Sequence, residues 1–145
     1  MPRDPRRELL YLADIVESAR TVARWLTERG EQWGEDEILR NAVLRQLSVV
    51  GEAASCLSDE MRGRLSGIPW REVRGFRNLA VHAYFSLDWD VVHEVATVNL
   101  PSMAPQVLAV LRAQDPEIAA KFGTKNDDDA PGAEADTAQG GIASL

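Results

Sequence analysis

Apolar residues recur at three- and four-residue spacing through most of the chain, the period of helices buried along one face. Leu12, Ile15, Ala19, Val22 and Leu26 trace a first stripe. Asp4 and Pro5 open it, an N-cap side chain and then a proline whose missing N–H costs nothing in a first turn, and Gly30 closes it. After a polar loop, GEQWGED, a second stripe runs through Leu39, Val43, Leu47, Val50, Ala54 and Leu57. Ala42, Val49, Ala53 and Cys56 broaden it until burial on more than one side is implied. Gly51 costs this second helix about 1 kcal/mol relative to alanine, and a close helix crossing there is the expected reason. Its neighbour Glu52 is a candidate partner for a downstream arginine.

Ser58 caps a short helix through Leu65, SGIP ends it, and Pro69 opens another from Trp70 to about His82. Asp88 starts the last, in which Val91, Val92, Val95 and Val98 keep helical spacing. Pro101 must kink or restart it before Asp115-Pro116. No strand-type alternation or hairpin signal appears, so the pattern predicts an all-α bundle of about four long helices plus a short one.

Composition adds limits. A chain of 145 residues with 45% hydrophobic content suits one globular domain, placed at 1–114, followed by an acidic disordered tail at 115–145. No apolar run is long enough for a bilayer, and the N-terminus MPRDPRRELLYLADI lacks an apolar export core, so a cytoplasmic protein without membrane contact is expected. The single cysteine, Cys56, reads as a buried thiol, and two histidines with one cysteine argue against a zinc site. Tyr11, Trp25, Trp33 and Trp70 are scattered and read as core or interface residues.

Charge is unevenly spread. Of the net −7, residues 123–145 carry −4, leaving −3 on the first 122. Within those, Met61 to Arg77 holds five arginines (Arg62, Arg64, Arg71, Arg74, Arg77) against Glu72 alone. This basic strip leads into RNLAVHAY, residues 77–84. On an ideal helix Arg74, Asn78 and His82 form one polar stripe. Arg77 and His82, about 7.5 Å apart in rise and roughly 140° apart around the axis, flank it. An arginine that forks onto phosphate and an imidazole that titrates near neutrality are the two groups needed to cleave RNA without a metal or other cofactor. One histidine does not easily serve as both base and acid, whereas a symmetric dimer supplies two. A solvated helix face remains the plain alternative.

The octapeptide matches Arg-x4-His-x-Tyr at Arg77, His82 and Tyr84, with Asn at Asn78. With RRELLYLADIVESA, AVLRQLSVVGEAA and IPWREVRGFRNLAVHAYFSLDWDVVHEV it resembles the HepT family of HEPN-domain toxins over about residues 5–113. The acidic tail departs from the family pattern, and so does His93, where an aromatic is more usual. The resemblance implies an all-α, HEPN-type antiparallel homodimer that cleaves RNA at a cleft between subunits. Arg77 and His82 would be catalytic there, with Asn78 and Arg74 supporting the RNA phosphate. It also implies a cognate MntA-type nucleotidyltransferase antitoxin that attaches AMP to Tyr84. The competing readings are a non-catalytic HEPN partner that binds a nucleotidyltransferase or nucleotide, and a helical dimerisation module.

Overall fold

The computed structural model describes residues 4–78 and 87–122. Helix α1 (Pro5–Arg29) leads through a 3-10 helix (Gly30–Glu35) to α2 (Glu37–Ser55), then to the short α3 (Asp59–Arg64) and α4 (Trp70–Gly75), which tightens into a 3-10 turn (Phe76–Asn78). After the gap follow α5 (Trp89–Glu94), a π turn (Val95–Asn99), α6 (Leu100–Gln114) and α7 (Pro116–Ala119). No strand occurs among the described residues, so the all-α class read from the periodicity stands. The remainder of the helix expected to reach His82, and the tail from residue 123, lie outside the described residues.

The element boundaries follow from local chemistry. Asp4 accepts from the Arg6 N–H, Asp36 from Leu39, Ser58 from Met61, and Asp88 from Asp90, each side chain satisfying an otherwise orphaned first-turn donor. Gly30 ends α1 at φ 71°, a region that L side chains rarely adopt. The expected polar loop after it is instead a 3-10 helix. Its Trp33 is buried and stacks on His93 of α5 at 5.4 Å between ring centroids, so the segment has an apolar anchor that its polar neighbours conceal in the sequence.

Helix α1 packs on one side against α2 and on another against α6. The shared core includes Leu12, Ile15 and Val22 of α1, Val43, Leu47 and Val50 of α2, and Leu100, Val107 and Leu111 of α6. The chain does not leave the bundle at Gln114. Asp115 caps α7, Ala119 is buried, and the Arg20 guanidinium donates to the Phe122 carbonyl while lying over the Phe122 ring. Residues 115–122, assigned to the tail by composition, therefore fold back on α1, because Ile118, Ala119 and Phe122 give them an apolar edge. Cys56 is only half-buried, not enclosed as expected, since it sits at the C-cap of α2 where that helix emerges beside Tyr11.

The other face of α2 carries α4 and its 3-10 turn. Two contacts fix where α4 begins. The Arg62 guanidinium donates to the carbonyls of Ala54 (3.2 Å) and Leu57 (2.6 Å), capping the end of α2, and the Trp70 indole N–H donates to the carbonyls of Arg62 and Leu65. Val73 and Phe76 then face α2 and are buried. The closest approach is at Gly51, where an added Cβ would lie 2.4 Å from the Arg77 backbone N and 3.0 Å from the Phe76 carbonyl carbon. The glycine about one turn before the end of α2 is thus the crossing point that the sequence suggested.

Gly51→Ala should destabilise the protein despite its helix-propensity gain of about 1 kcal/mol. The atom struck is backbone, and overpacking of that kind costs about 1–3 kcal/mol. A urea unfolding midpoint equal to or above that of the parent would show that the crossing gives way freely.

Candidate functional site

The motif arginine is positioned from below. Buried Val73 and Phe76 pin the end of α4 to α2, and Gly51 lets the Arg77 backbone sit directly on that helix. The Arg77 side chain is 50% exposed and lies 4.0 Å from the carboxylate of Glu52, itself 66% exposed. The partnership expected for Glu52 is therefore present, but as a long, solvated pair of the kind that contributes little to stability.

The 3-10 turn changes the stripe read from an ideal helix. A 3-10 helix advances roughly 120° per residue rather than 100°, so residues three apart nearly eclipse. Arg77 is carried round toward the line of Arg74, and Asn78 is carried away from it. The exposed row is Arg74–Arg77, with Arg71 one turn earlier, and Asn78 is out of line with Arg74, while His82, the third member of the expected stripe, lies outside the described residues. The basic strip is also narrower than the sequence suggested. Arg62 is bound to Asp59 and the end of α2, and Arg64 pairs with Glu60 at 3.2 Å. Arg71 and Arg74 have no acidic partner among the described residues.

Arg77 and Glu52 stand at one end of a cleft of about 580 Å³ between α1 and α2. Tyr11 and Asp14 line it from α1, and Asn41, Leu44, Arg45, Ser48, Val49 and Ala53 line it from α2. The α2 members recur every three or four residues, which is one helical face. The Tyr11 phenol is pushed above its ordinary pKa, first by its hydrogen bond to Cys56 and then by the nearby thiol's charge and by burial. Asp14 is likewise raised, chiefly by desolvation and secondarily by Glu17.

Of the residues singled out in the sequence, Arg74, Arg77 and Asn78 are described and grouped at the end of α4, all exposed, while His82 and Tyr84 lie outside the described residues. His93, the second histidine, is exposed and occupied in the Trp33 stack, and so serves the packing of α5. Tyr11 lines the same cleft as Arg77 and is not a simple core residue. The polar members of the cleft, Asp14, Asn41, Arg45 and Ser48, carried no motif. For Asn41, Arg45 and Ser48 the signal was a polar stripe of α2 beside its apolar one. Among the described residues no cluster of His, Cys, Asp and Glu is arranged to hold a metal ion, and no helix is long and apolar enough to cross a membrane.

A family model described as ribonuclease HepT-like matches residues 15–110, which include the later part of α1, all of α2, the Arg77 turn and most of α6. The chain belongs to the ribonuclease HepT-like family. Among its relatives is a Methanocaldococcus jannaschii protein provisionally named an RNase, 29% identical over 98 residues, which cover 67% of this chain and 90% of the relative. A Caldanaerobacter subterraneus protein with the same provisional name is 31% identical over 84 residues, 58% of this chain and 75% of its own. A Thermococcus cleftensis protein, named with the same reserve a ribonuclease HepT, is 31% identical over 94 residues, 64% of this chain and 86% of its own. No solved structure matches the chain at a significant level.

The raised carboxyl of Asp14 has a consequence for stability. Folding favours its protonated form, so Asp14 contributes stability in acid that is lost as pH rises through its raised pKa. Asp14→Asn, neutral at every pH, should melt with the parent at strongly acid pH and at a higher temperature than the parent above the usual carboxylate range. A melting-temperature difference that is constant with pH would refute the assignment.

Proposed function

We propose that this HepT-like chain is a metal-independent endoribonuclease, the toxin of a toxin–antitoxin pair. The observation that carries the reading is the row Arg71, Arg74 and Arg77, two of them unpaired among the described residues and the third pinned at the mouth of a cleft, on the element that leads into the histidine of the motif. In this reading the Arg77 guanidinium grips the scissile phosphate through two parallel N–H donors, and Arg74 and Asn78 hold the flanking strand. His82 takes the proton of the ribose 2′-hydroxyl. The 2′-oxygen attacks phosphorus, the bond to the 5′-oxygen breaks, and that oxygen is protonated as it leaves. The products are a 2′,3′-cyclic phosphate and a 5′-hydroxyl. A homodimer brings a second His82 to the same cleft, so that one imidazole acts as base and the other as acid.

Regulation falls to Tyr84 in the same reading. A cognate nucleotidyltransferase antitoxin of the MntA type directs the Tyr84 oxygen onto the α-phosphorus of ATP, pyrophosphate leaves, and AMP remains as a phosphodiester two residues from His82. Its negative charge and bulk exclude RNA from the arginines that would receive it.

Purified protein should cleave RNA in EDTA. His82→Ala should lower the rate by about 10²–10⁴-fold, the usual contribution of a positioned proton carrier, with unchanged circular dichroism. Arg77→Lys should lose most activity, because an ammonium does not reproduce the planar fork. Activity that EDTA removes, or that persists in His82→Ala, overturns the mechanism. Light scattering at micromolar concentration should report a dimer.

Incubation with the cognate nucleotidyltransferase, ATP and Mg²⁺ should place AMP on Tyr84 and silence cleavage, and Tyr84→Phe should escape silencing. Mass spectrometry that finds AMP on Tyr11 or elsewhere would refute the role given to Tyr84.

A further inference from the structure

The cleft beside Arg77 has an unusual inventory of unspent polar groups. The Ser48 hydroxyl on its lining is buried and has no hydrogen-bond partner among the described residues. Arg45 and Asp14 have no ion-pair partner among the described residues, and desolvation has already raised the Asp14 carboxyl. Asn41 spends one N–H on the Glu37 carbonyl at 2.9 Å, and its side-chain oxygen accepts no hydrogen bond among the described residues. Around these the wall is apolar, with Val49, Leu44 and Ala53 along α2 and the ring of Tyr11 on α1. A volume of about 580 Å³ falls within the span of small-molecule sites, and apolar walls with a few convergent polar groups are their usual make-up.

We infer that this cleft is a nucleobase subsite: it takes one base of the RNA strand whose phosphate Arg77 holds. The inference rests on the RNA-cleavage reading and deepens it. A phosphate alone would call for donors only, and Asp14 would repel it, whereas a base offers donors and acceptors on one edge and two apolar faces, matching the mixed set of Asp14, Asn41, Arg45 and Ser48 between hydrocarbon walls. The spacing also suits one nucleotide. Glu52, beside Arg77, is four residues from Ser48 and seven from Arg45, about 6 and 10.5 Å along α2, the reach from a backbone phosphate to the far edge of its base. Phosphate contacts position a strand without reading it, so the cleft gives the arginine row a means to choose where it cuts.

Two measurements on the full-length protein test this. The first sequences the ends produced from a randomised RNA pool. One base should be preferred at a fixed position next to the cut, and Asn41→Ala and Arg45→Gln should each reduce that preference on the order of tenfold. The preference is a ratio within one reaction and does not depend on the overall rate. The second, independent of cleavage, follows the Asn41 side-chain amide by NMR during titration with the four nucleoside 3′-monophosphates and with ribose 5-phosphate. At least one nucleotide should shift it at a concentration about tenfold below that needed with the base-free sugar phosphate, and Arg45→Gln should erase the difference.

Cuts without base preference, together with an unmoved Asn41 amide, overturn the subsite and leave the nuclease standing. Nucleotides that shift Asn41 in a protein that leaves RNA intact support the subsite and remove the nuclease. Should Arg45→Gln turn a dimer into monomers while nucleotides leave Asn41 unmoved, a second copy of the chain occupies the cleft, and the inference fails.

Discussion

The place of Arg77 beside the cleft depends on one steric allowance, the hydrogen atom that stands for a side chain at Gly51. The backbone of Phe76 and Arg77 rests where a Cβ would be, with the Arg77 nitrogen 2.4 Å from that point. Any other residue would lift the turn away from α2, and with it the guanidinium from the end of the cleft. The rest of the local packing serves the same seat. Arg62 closes the end of α2, Trp70 hooks the start of α4 onto α3, and Val73 and Phe76 press the turn down. The glycine is the narrowest part of this arrangement, because a backbone collision has no flexible side chain to absorb it.

The charges divide into those the fold consumes and those it leaves. Arg62 and Arg64 satisfy carbonyls and neighbouring acids, while Arg71 and Arg74 stand in solvent without such partners among the described residues. Arg77 is intermediate. At 4.0 Å and half exposed, its pairing with Glu52 orients the side chain at small energetic gain, and a phosphate offering two short charge-assisted bonds would displace it. Net charge therefore says little about this surface. A chain of −7 presents a local row of cations because its acids lie elsewhere, several of them in residues 123–145.

The helices, most of their caps and the crossing at Gly51 were legible because each is written in a few consecutive residues: Asp4-Pro5, Ser58, Pro69 and Asp88 are punctuation whose physics is local. The family was legible in the same way, through the Arg77 motif and three ordered segments. What was not legible depends on distance in sequence. Trp33 itself reads as a core or interface residue, but the segment around it looks like a polar loop because the partner of that ring, His93, is 60 positions away, and residues 115–122 look like tail because their contacts are with α1. The tightening of α4 into a 3-10 turn moved Asn78 off the expected stripe, a rotation that no composition rule foresees. The cleft was hidden for a further reason. Asp14, Asn41, Arg45 and Ser48 sit on two helices and acquire meaning only when α1 and α2 are laid side by side.

The π turn at Val95–Asn99 has a consequence for phase. The core residues Val92 and Leu111 are 19 positions apart, and at 100° per residue an uninterrupted α-helix would place the second about 100° beyond five whole turns from the first. A seam drawn from one to the other would spiral round the rod and leave the core. In the π turn the Leu100 N–H reaches back five residues to the Val95 carbonyl, so the rod takes up roughly one residue more in that turn and sheds about that same angle. The extra residue acts as a vernier: it resets the azimuth between α5 and α6 just ahead of Pro101, whose absent N–H would have broken an ordinary ladder, and Val92 and Leu111 return to the same side of the rod.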